Sequence, residues 1–265
     1  MAANNSNPIS TFCWNQLATP NIDESIVFYS ALFGWDVVEE DLADGGTTVR
    51  LAHKGDFVVG MHVLSEIEVN HGWKARWEPF LRVDNIPDVL VRVSEQLGQV
   101  LEGDVSAGTH GTLATISSPS GAQLCLWEAG SFSGQGMTRQ NGVPSWHTLL
   151  VSNLDIEHTF WSKVVGWGDA QEAPELGLGH FTHPVHGNIA GSRVPSEEMK
   201  TTLGQLDCRW VPHIQVADCN QTVESAKAIG ATVLLATEEV PNGGTQALIV
   251  DPLGGVFGVY TPRED

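Results

Sequence analysis

Basic charge, cysteine and long apolar runs are all scarce in this chain, and each scarcity closes off a class of function. Thirteen Lys and Arg stand against 32 Asp and Glu, a formal net charge of −19. A field of that sign repels phosphate backbones and anionic lipid, so neither nucleic acid nor a membrane is expected as a partner. The acidic residues are spread along the chain rather than blocked, which reads as a solvated surface. The four cysteines, Cys13, Cys125, Cys208 and Cys219, make no CxxC pair and no zinc-knuckle spacing. They read as reduced thiols in half-buried strands. No run approaches the roughly 20 apolar residues of a membrane helix. Residues 1–7 (MAANNSN) lack both the basic and the apolar part of a signal peptide. A cytoplasmic protein, monomer or homodimer, is expected.

What the chain does have is repetition. At 265 residues it exceeds one typical domain, and its halves align. Trp14 falls on Trp146, Leu17 on Leu149, Asn21 on Asn153, Phe28 on Phe160, and Gly34-Trp35 on Gly166-Trp167. Farther on, Trp77, Pro79 and Val83 fall on Trp210, Pro212 and Val216, and Pro119 and Gly121 on Pro252 and Gly254. Each half divides again. A strand-like run ends at Asn21, Asn85, Asn153 or Asp218, residue types whose side-chain oxygen caps a helix. After Asn21, Ile22, Ile26, Tyr29 and Phe33 recur at helical spacing, and Gly34 stops the helix; Gly98 and Gly230 are read the same way. Short β-rich runs follow, separated by turn signals at Asp44-Gly45-Gly46, Lys54-Gly55-Asp56, Ser118–Gly121 and Asp251–Gly254.

Four units of one strand, one helix and about three strands result. The fold class is α+β, a tandem duplication of paired βαβββ modules forming two cup-shaped open barrels. Residues 8–130 are expected to hold modules one and two, and residues 143–262 modules three and four, with Gly130–Val143 as linker.

These segments resemble the vicinal oxygen chelate superfamily, which includes glyoxalase I, bleomycin-resistance proteins, fosfomycin-modifying enzymes and type I extradiol dioxygenases. The likeness runs over about residues 10 to 262 and is carried by FYSALFGW (Phe28–Trp35), SPSGAQLCLWE (Ser118–Glu128) and DPLGGVFGVY (Asp251–Tyr260). The resemblance implies the fold, while the function varies among isomerases, dioxygenases, transferases and plain binders. In metal-using members a His or Gln from a first strand and a Glu from a last strand hold a divalent ion that polarises vicinal oxygens. The matching first-strand positions are Trp14, Glu78, Trp146 and Val211, and the last-strand positions are Gly60, Cys125, Gly191 and Gly258. Of the first-strand positions only Glu78 could ligate, and no last-strand position offers a carboxylate, so no metal centre of that type is expected.

Strand alternation supplies a separate list of cup-facing residues. With Leu17 and Thr19 under the helix, the first cup is lined by Trp14, Gln16, His62, Glu78, Phe80, Cys125 and Trp127. By the same parity the second has Trp146, Thr148, Arg193, His213 and Tyr260, and His147 turns toward the helix. An aromatic box around Glu78, His62 and Gln16 suits a planar or oxygenated molecule, and Arg193 suits an anionic group. Each residue also has a plainer role: a tryptophan can fill a barrel floor, a lone histidine can be a hydrogen-bonded core residue, and Cys125 can be a small hydrophobe. The histidines of GHFTHPVHG (His180, His183, His186) read as a hairpin tip, given Pro184 and Gly187.

Three functions are compatible with this pattern. One is an enzyme acting on a small oxygenated metabolite, with Glu78, His62 or His213 in acid–base roles. The second is a resistance-type binding or sequestration protein, and the third a divalent-metal-dependent lyase or dioxygenase. In each case the partner is a small molecule.

Overall fold

The computed structural model describes residues 7–41, 47–135, 139–173, 177–203, 208–240 and 243–263. Module one is β1 (Phe12–Thr19), α1 (Ile22–Phe33), β2 (Asp36–Asp41), β3 (Thr47–His53) and β4 (Asp56–Val63). A short helix, α2 (Glu66–Asn70), leads to β5 (Arg76–Val83), α3 (Ile86–Glu95), β6 (Gln99–Ser106), β7 (Gly111–Ser117) and β8 (Gln123–Ala129). Module three is β9 (Pro144–Leu150), α4 (Leu154–Val165), β10 (Gly168–Ala173), β11 (Leu178–His183) and β12 (Gly187–Arg193). After α5 (Glu197–Leu203), module four is β13 (Arg209–Gln215), α6 (Cys219–Ala228), β14 (Thr232–Glu239), β15 (Thr245–Val250) and β16 (Val256–Thr261). Each half contributes one eight-stranded mixed sheet, in the orders β2-β3-β4-β1-β5-β8-β7-β6 and β10-β11-β12-β9-β13-β16-β15-β14. This is the duplicated α+β arrangement expected from the repeat. The turn at Asp44–Gly46 and linker residues 136–138 lie outside the described residues. No helix among the described residues is long and apolar enough to cross a membrane.

The helix caps explain why four helices start where they do. Asn21, Asn85, Asn153 and Asp218 sit in extended backbone, and each side chain accepts a backbone N–H from the first turn. Gly34 and Gly166 close α1 and α4 in the left-handed region, at φ 68° and 78°. Gly98 departs from its expected role: Leu97 takes the positive φ, 63°. Gly98 is a packing position instead, because a Cβ there would stand 2.7 Å from the Phe160 ring and 2.8 Å from the Ser117 carbonyl. The short helices α2 and α5 were not anticipated, although Ser65 and Glu68 form a full capping box at α2.

The compact units cut across the halves. One comprises Met1–Trp14, Pro79–Met137 and Trp146–Val211, and the other Asn15–Glu78, Thr138–Ser145 and Pro212–Asp265. Modules one and two thus share one sheet and modules three and four the other, while the hydrophobic clusters join module two with three and module one with four. In the first unit, Val89 and Val93 of α3 cluster with Phe160, Trp161 and Val164 of α4, and Arg92 donates to the Val164 carbonyl at 2.8 Å. In the second, Phe28, Tyr29 and Phe33 of α1 cluster with Val223 and Ala226 of α6 and with Phe257. Helices of two modules thus share one apolar cluster, and burying one large side chain in it contributes about 1.5–3 kcal/mol. The repeated Gly-Trp pairs serve the same cross-linking. Trp35 donates its indole N–H to the Gly142 carbonyl at 2.6 Å, and Trp167 donates to the Ser10 carbonyl at 2.8 Å. Each tryptophan holds the residue that leads into the first strand of the opposite half.

Candidate functional site

Packing separates the two faces of the strands. Leu17, Trp77, Leu81, Val83, Leu149, Trp210 and Ile214 all belong to the hydrophobic clusters beneath the helices. None of the residues assigned to the opposite face appears in either cluster. Register then sets each last-strand residue beside a first-strand one: Gly60 beside Gln16, Cys125 beside Phe80, Gly191 beside Thr148, and Gly258 beside His213.

The second unit brings His62 and Glu78 together. His62 Nε2 lies 3.9 Å from Glu78 Oε2, with the side chains 43% and 20% exposed, so water and solute reach both. Arg76 fixes the carboxylate: its Nε donates to Glu78 Oε1 at 3.0 Å, and its Nη2 donates to Glu68 Oε1 at 3.0 Å. The guanidinium also lies 5.0 Å from the ring centre of Trp73. Glu68 is itself held by Ser65, whose hydroxyl and backbone N–H, followed by Arg76, keep its carboxyl below the usual range. One oxygen of Glu78 is thereby occupied, and the other faces His62 across a gap longer than a hydrogen bond. A ligand hydroxyl placed off the line between them can bond both at about 2.8 Å. Arg76, Glu68 and Trp73 were missed in the sequence, and the Ser65-x-x-Glu68 box was the signal that could have found them.

The first unit carries the aromatic residues. Trp14, Phe80, Trp127 and Cys125 are almost fully buried. Phe80 and Trp127 stand edge to face with ring centres 6.2 Å apart. Phe132, from the segment after β8, meets Trp14 at 5.2 Å and Trp127 at 6.2 Å. The Cys125 thiol lies 3.9 Å from Thr115 Oγ1.

For the second half, Trp146 and Thr148 both border Gly191, 3.4 Å from where a Cβ would be, and the Trp146 ring lies 6.1 Å from that of His180. Arg193 aligns with Leu150. His213 is buried and lies flat over Gly258; any Cβ at Gly258 would run into its imidazole ring. Tyr260 aligns with Gln215 rather than with His213, and its hydroxyl is directed to the Gly243 carbonyl at 3.4 Å. His147 stacks on Phe12 at 3.8 Å, away from the cup-facing set.

A different array lies between α4 and its sheet. His158 Nε2 is 2.9 Å from Ser192 Oγ, and Nδ1 is 3.7 Å from Asp169 Oδ2. The order resembles nucleophile, base and acid, but Ser192 is only 2% exposed, with its hydroxyl enclosed under the helix. The array therefore positions α4 and offers no route to substrate. Burial lowers the His158 pKa from 6.5, the nearby His180 adds to that, and Asp169 and Asp155 oppose it. The unfolded chain then takes up the proton first on acidification. Stability from neutral His158 is full above pH 6.5 and is lost as pH falls from there toward the folded-state value. Urea unfolding between pH 7.5 and 5.5 should show the wild type losing stability faster than His158→Gln, by at most about 1.4 kcal/mol per pH unit. Parallel profiles would remove His158 as the cause.

The fit of a divalent ion can be judged from the donors present. Gly60, Cys125, Gly191 and Gly258 supply no carboxylate. Among the described residues no group of three or more His, Cys, Asp or Glu is placed to hold a metal ion. Among the described residues, the donors at these positions do not fit the His/Gln and Glu metal centre that the resemblance implied. His183 and His186 flank the β11–β12 turn with rings 4.7 Å apart, and His183 is engaged by the Ile9 carbonyl and by the backbone N–H of Val185. They are hairpin histidines. Cys13 is equally unsuited to chemistry, since burial pushes its thiol to about 12 against the pull of Arg82.

No family model matches the chain. It is 25% identical over 249 residues to CFP32 of Mycobacterium tuberculosis (strain CDC 1551 / Oshkosh), named as a presumptive glyoxylase; the match covers 94% of each chain. It is 27% identical over 261 residues to the anthracycline biosynthesis protein DnrV of Streptomyces peucetius, covering 95% of this chain and 93% of that one. Among solved structures, the Mn(II)-bound glyoxalase from Novosphingobium aromaticivorans superposes with a TM-score of 0.62 at 15% identity, over 97% of this chain and 83% of that one. That last likeness is one of fold.

Proposed function

We propose, on its fold and its named relatives, that the chain is a member of the vicinal oxygen chelate superfamily and that it binds and transforms a small oxygenated molecule through acid–base chemistry of its own side chains. The observation that carries this reading is the solvent-reachable approach of His62 to a Glu78 carboxylate fixed by Arg76. In this reading Glu78 Oε2 accepts a proton from a ligand hydroxyl or activated carbon, and His62 returns one to a developing oxyanion. Gln16 of the same unit contributes to ligand binding, and Trp14, Phe80, Cys125 and Trp127 are ligand-binding residues of the first unit. In the second half Trp146, Thr148 and Arg193 are proposed ligand-binding residues of the first unit, with Arg193 for an anionic group, and Tyr260 and His213 are proposed site residues of the second. The halves 8–130 and 143–262 act as two functional repeats in a cytoplasmic protein, monomeric or homodimeric.

The cluster of aromatic rings at Trp14, Phe80 and Trp127 supports a second reading, sequestration by aromatic contact without turnover. A screen of small hydroxy acids, oxo acids and diols for both binding and turnover separates the two. The residues do not fit a family-type metal, so tag-free protein dialysed against EDTA should retain any turnover it has. A stoichiometric divalent ion whose removal abolishes turnover, and whose binding is lost in Glu78→Gln, would establish the metal-dependent alternative instead.

A further inference from the structure

We propose that Phe132, carried by the segment between the two halves, plugs an aromatic subsite on the Trp14–Trp127 wall and so sets which ligands that wall admits. The proposal rests on the reading of Trp14 and Trp127 as ligand-binding residues, and it makes planar, uncharged, phenyl-sized rings the class of group excluded by the wild-type chain. Three observations carry it. The Phe132 ring is edge-on to both tryptophans, at 89° to Trp14 and 71° to Trp127. That is the geometry a ligand ring would take on the same wall.

The ring is also held there by its backbone. Gly130 and Phe132 donate to the His110 carbonyl at 2.8 and 3.2 Å, Ser131 donates to that of Thr109 at 2.8 Å, and Gln135 donates to that of Cys13 at 2.6 Å. Trp127 adds its indole N–H to the Phe132 carbonyl at 2.9 Å.

The segment further lies flush on what it covers. A Cβ at Gly130 would stand 2.5 Å from the Thr109 carbonyl oxygen, and one at Gly134, where φ is +92°, would run into the Cys13 carbonyl. A linker needed only for length would require neither glycine. The consequence is that Trp14 and Trp127 are each 5% exposed although they lie on the strand face away from the helices.

Truncating the side chain leaves these backbone bonds in place and opens a phenyl-sized space walled by Trp14, Trp127 and His110. Phe132→Ala should therefore bind phenol at least about tenfold more tightly than the wild type, read by ligand-observed NMR and by the rise in Tm with phenol. Cyclohexanol, similar in size but not planar, should bind Phe132→Ala more weakly than phenol. Phe132→Leu, which refills the space without a ring, should behave as the wild type, and Phe132→Val serves if the alanine variant does not fold. Equal phenol binding by the wild type and the truncated variant would overturn the plug. So would a folded truncated variant that binds no phenol. The readout is phenol binding rather than turnover, so a failed plug alongside a turnover that depends on Glu78 leaves the acid–base reading standing.

Discussion

Glu78→Gln should lower turnover by about 10²–10⁴-fold, the range contributed by a positioned general base or acid, while ligand binding and stability stay close to wild type. The substitution is nearly isosteric and keeps a side-chain oxygen for Arg76, so it removes the charge and the proton acceptor without opening a cavity. Arg76 retains its bond to Glu68 and its place over Trp73. The Arg76–Glu78 pair is partly exposed, which limits its contribution to stability to about 1 kcal/mol or less. A loss confined to kcat identifies Glu78 with chemistry, whereas a rise in KM alone identifies it with binding. His62→Gln should act in the same direction with a smaller effect, because the more exposed imidazole can be replaced in part by water. Full turnover in Glu78→Gln together with loss in His213→Ala would move the chemistry to the second half.

Much of the scaffold was legible because its signals are local. Each cap is a single side chain bonding a backbone N–H within its own first turn, so Asn21, Asn85, Asn153 and Asp218 announce their helices without tertiary information. Strand parity follows from backbone geometry, and one secure helix-facing residue, Leu17, orients the rest of β1. Gly98 was misread because a glycine selected for close packing against Phe160 looks the same in sequence as one selected for a positive φ. The site was less legible for a related reason. Arg76 acts by joining Glu68 on α2 to Glu78 on β5, and nothing in the spacing of those residues says that α2 folds back over the strand. Phe132 lies in a stretch rich in Gly and Ser that composition alone presents as a flexible linker. Its order comes from the His110, Thr109 and Cys13 carbonyls, which only the folded chain assembles.

The largest loss of stability from a single small change is expected at Tyr29. Tyr29→Phe removes one oxygen atom and should cost about 3 kcal/mol, a fall in Tm of roughly 6–12 °C for a chain of this size. The hydroxyl is fully buried and serves two partners: it donates to Asp251 Oδ2 at 2.7 Å and accepts from Trp77 Nε1 at 3.2 Å. Asp251 is itself buried, and its other oxygen accepts from the backbone N–H groups of Leu253 and Gly255. Phenylalanine fills the same space, so the loss is one of polar satisfaction rather than packing. It leaves a carboxyl oxygen and an indole N–H with no partner in the interior, each costing about 1–3 kcal/mol.

The dependence on pH distinguishes this cause from a packing defect. Burial raises the Asp251 pKa above 3.8, and the bonds from Tyr29 and the backbone N–H groups pull it back down. Without the Tyr29 hydroxyl the folded-state value rises further. A carboxyl with a raised folded-state pKa holds its proton more firmly in the folded chain, so its stability penalty is largest at neutral pH and is relieved as pH falls through the folded-state value. The deficit of Tyr29→Phe relative to wild type should therefore narrow on acidification from pH 7, followed by urea unfolding at each pH. A deficit below about 1 kcal/mol at pH 7, or one that stays constant as the pH is lowered, would show that the Tyr29–Asp251 bond is not what holds α1 to the turn before β16.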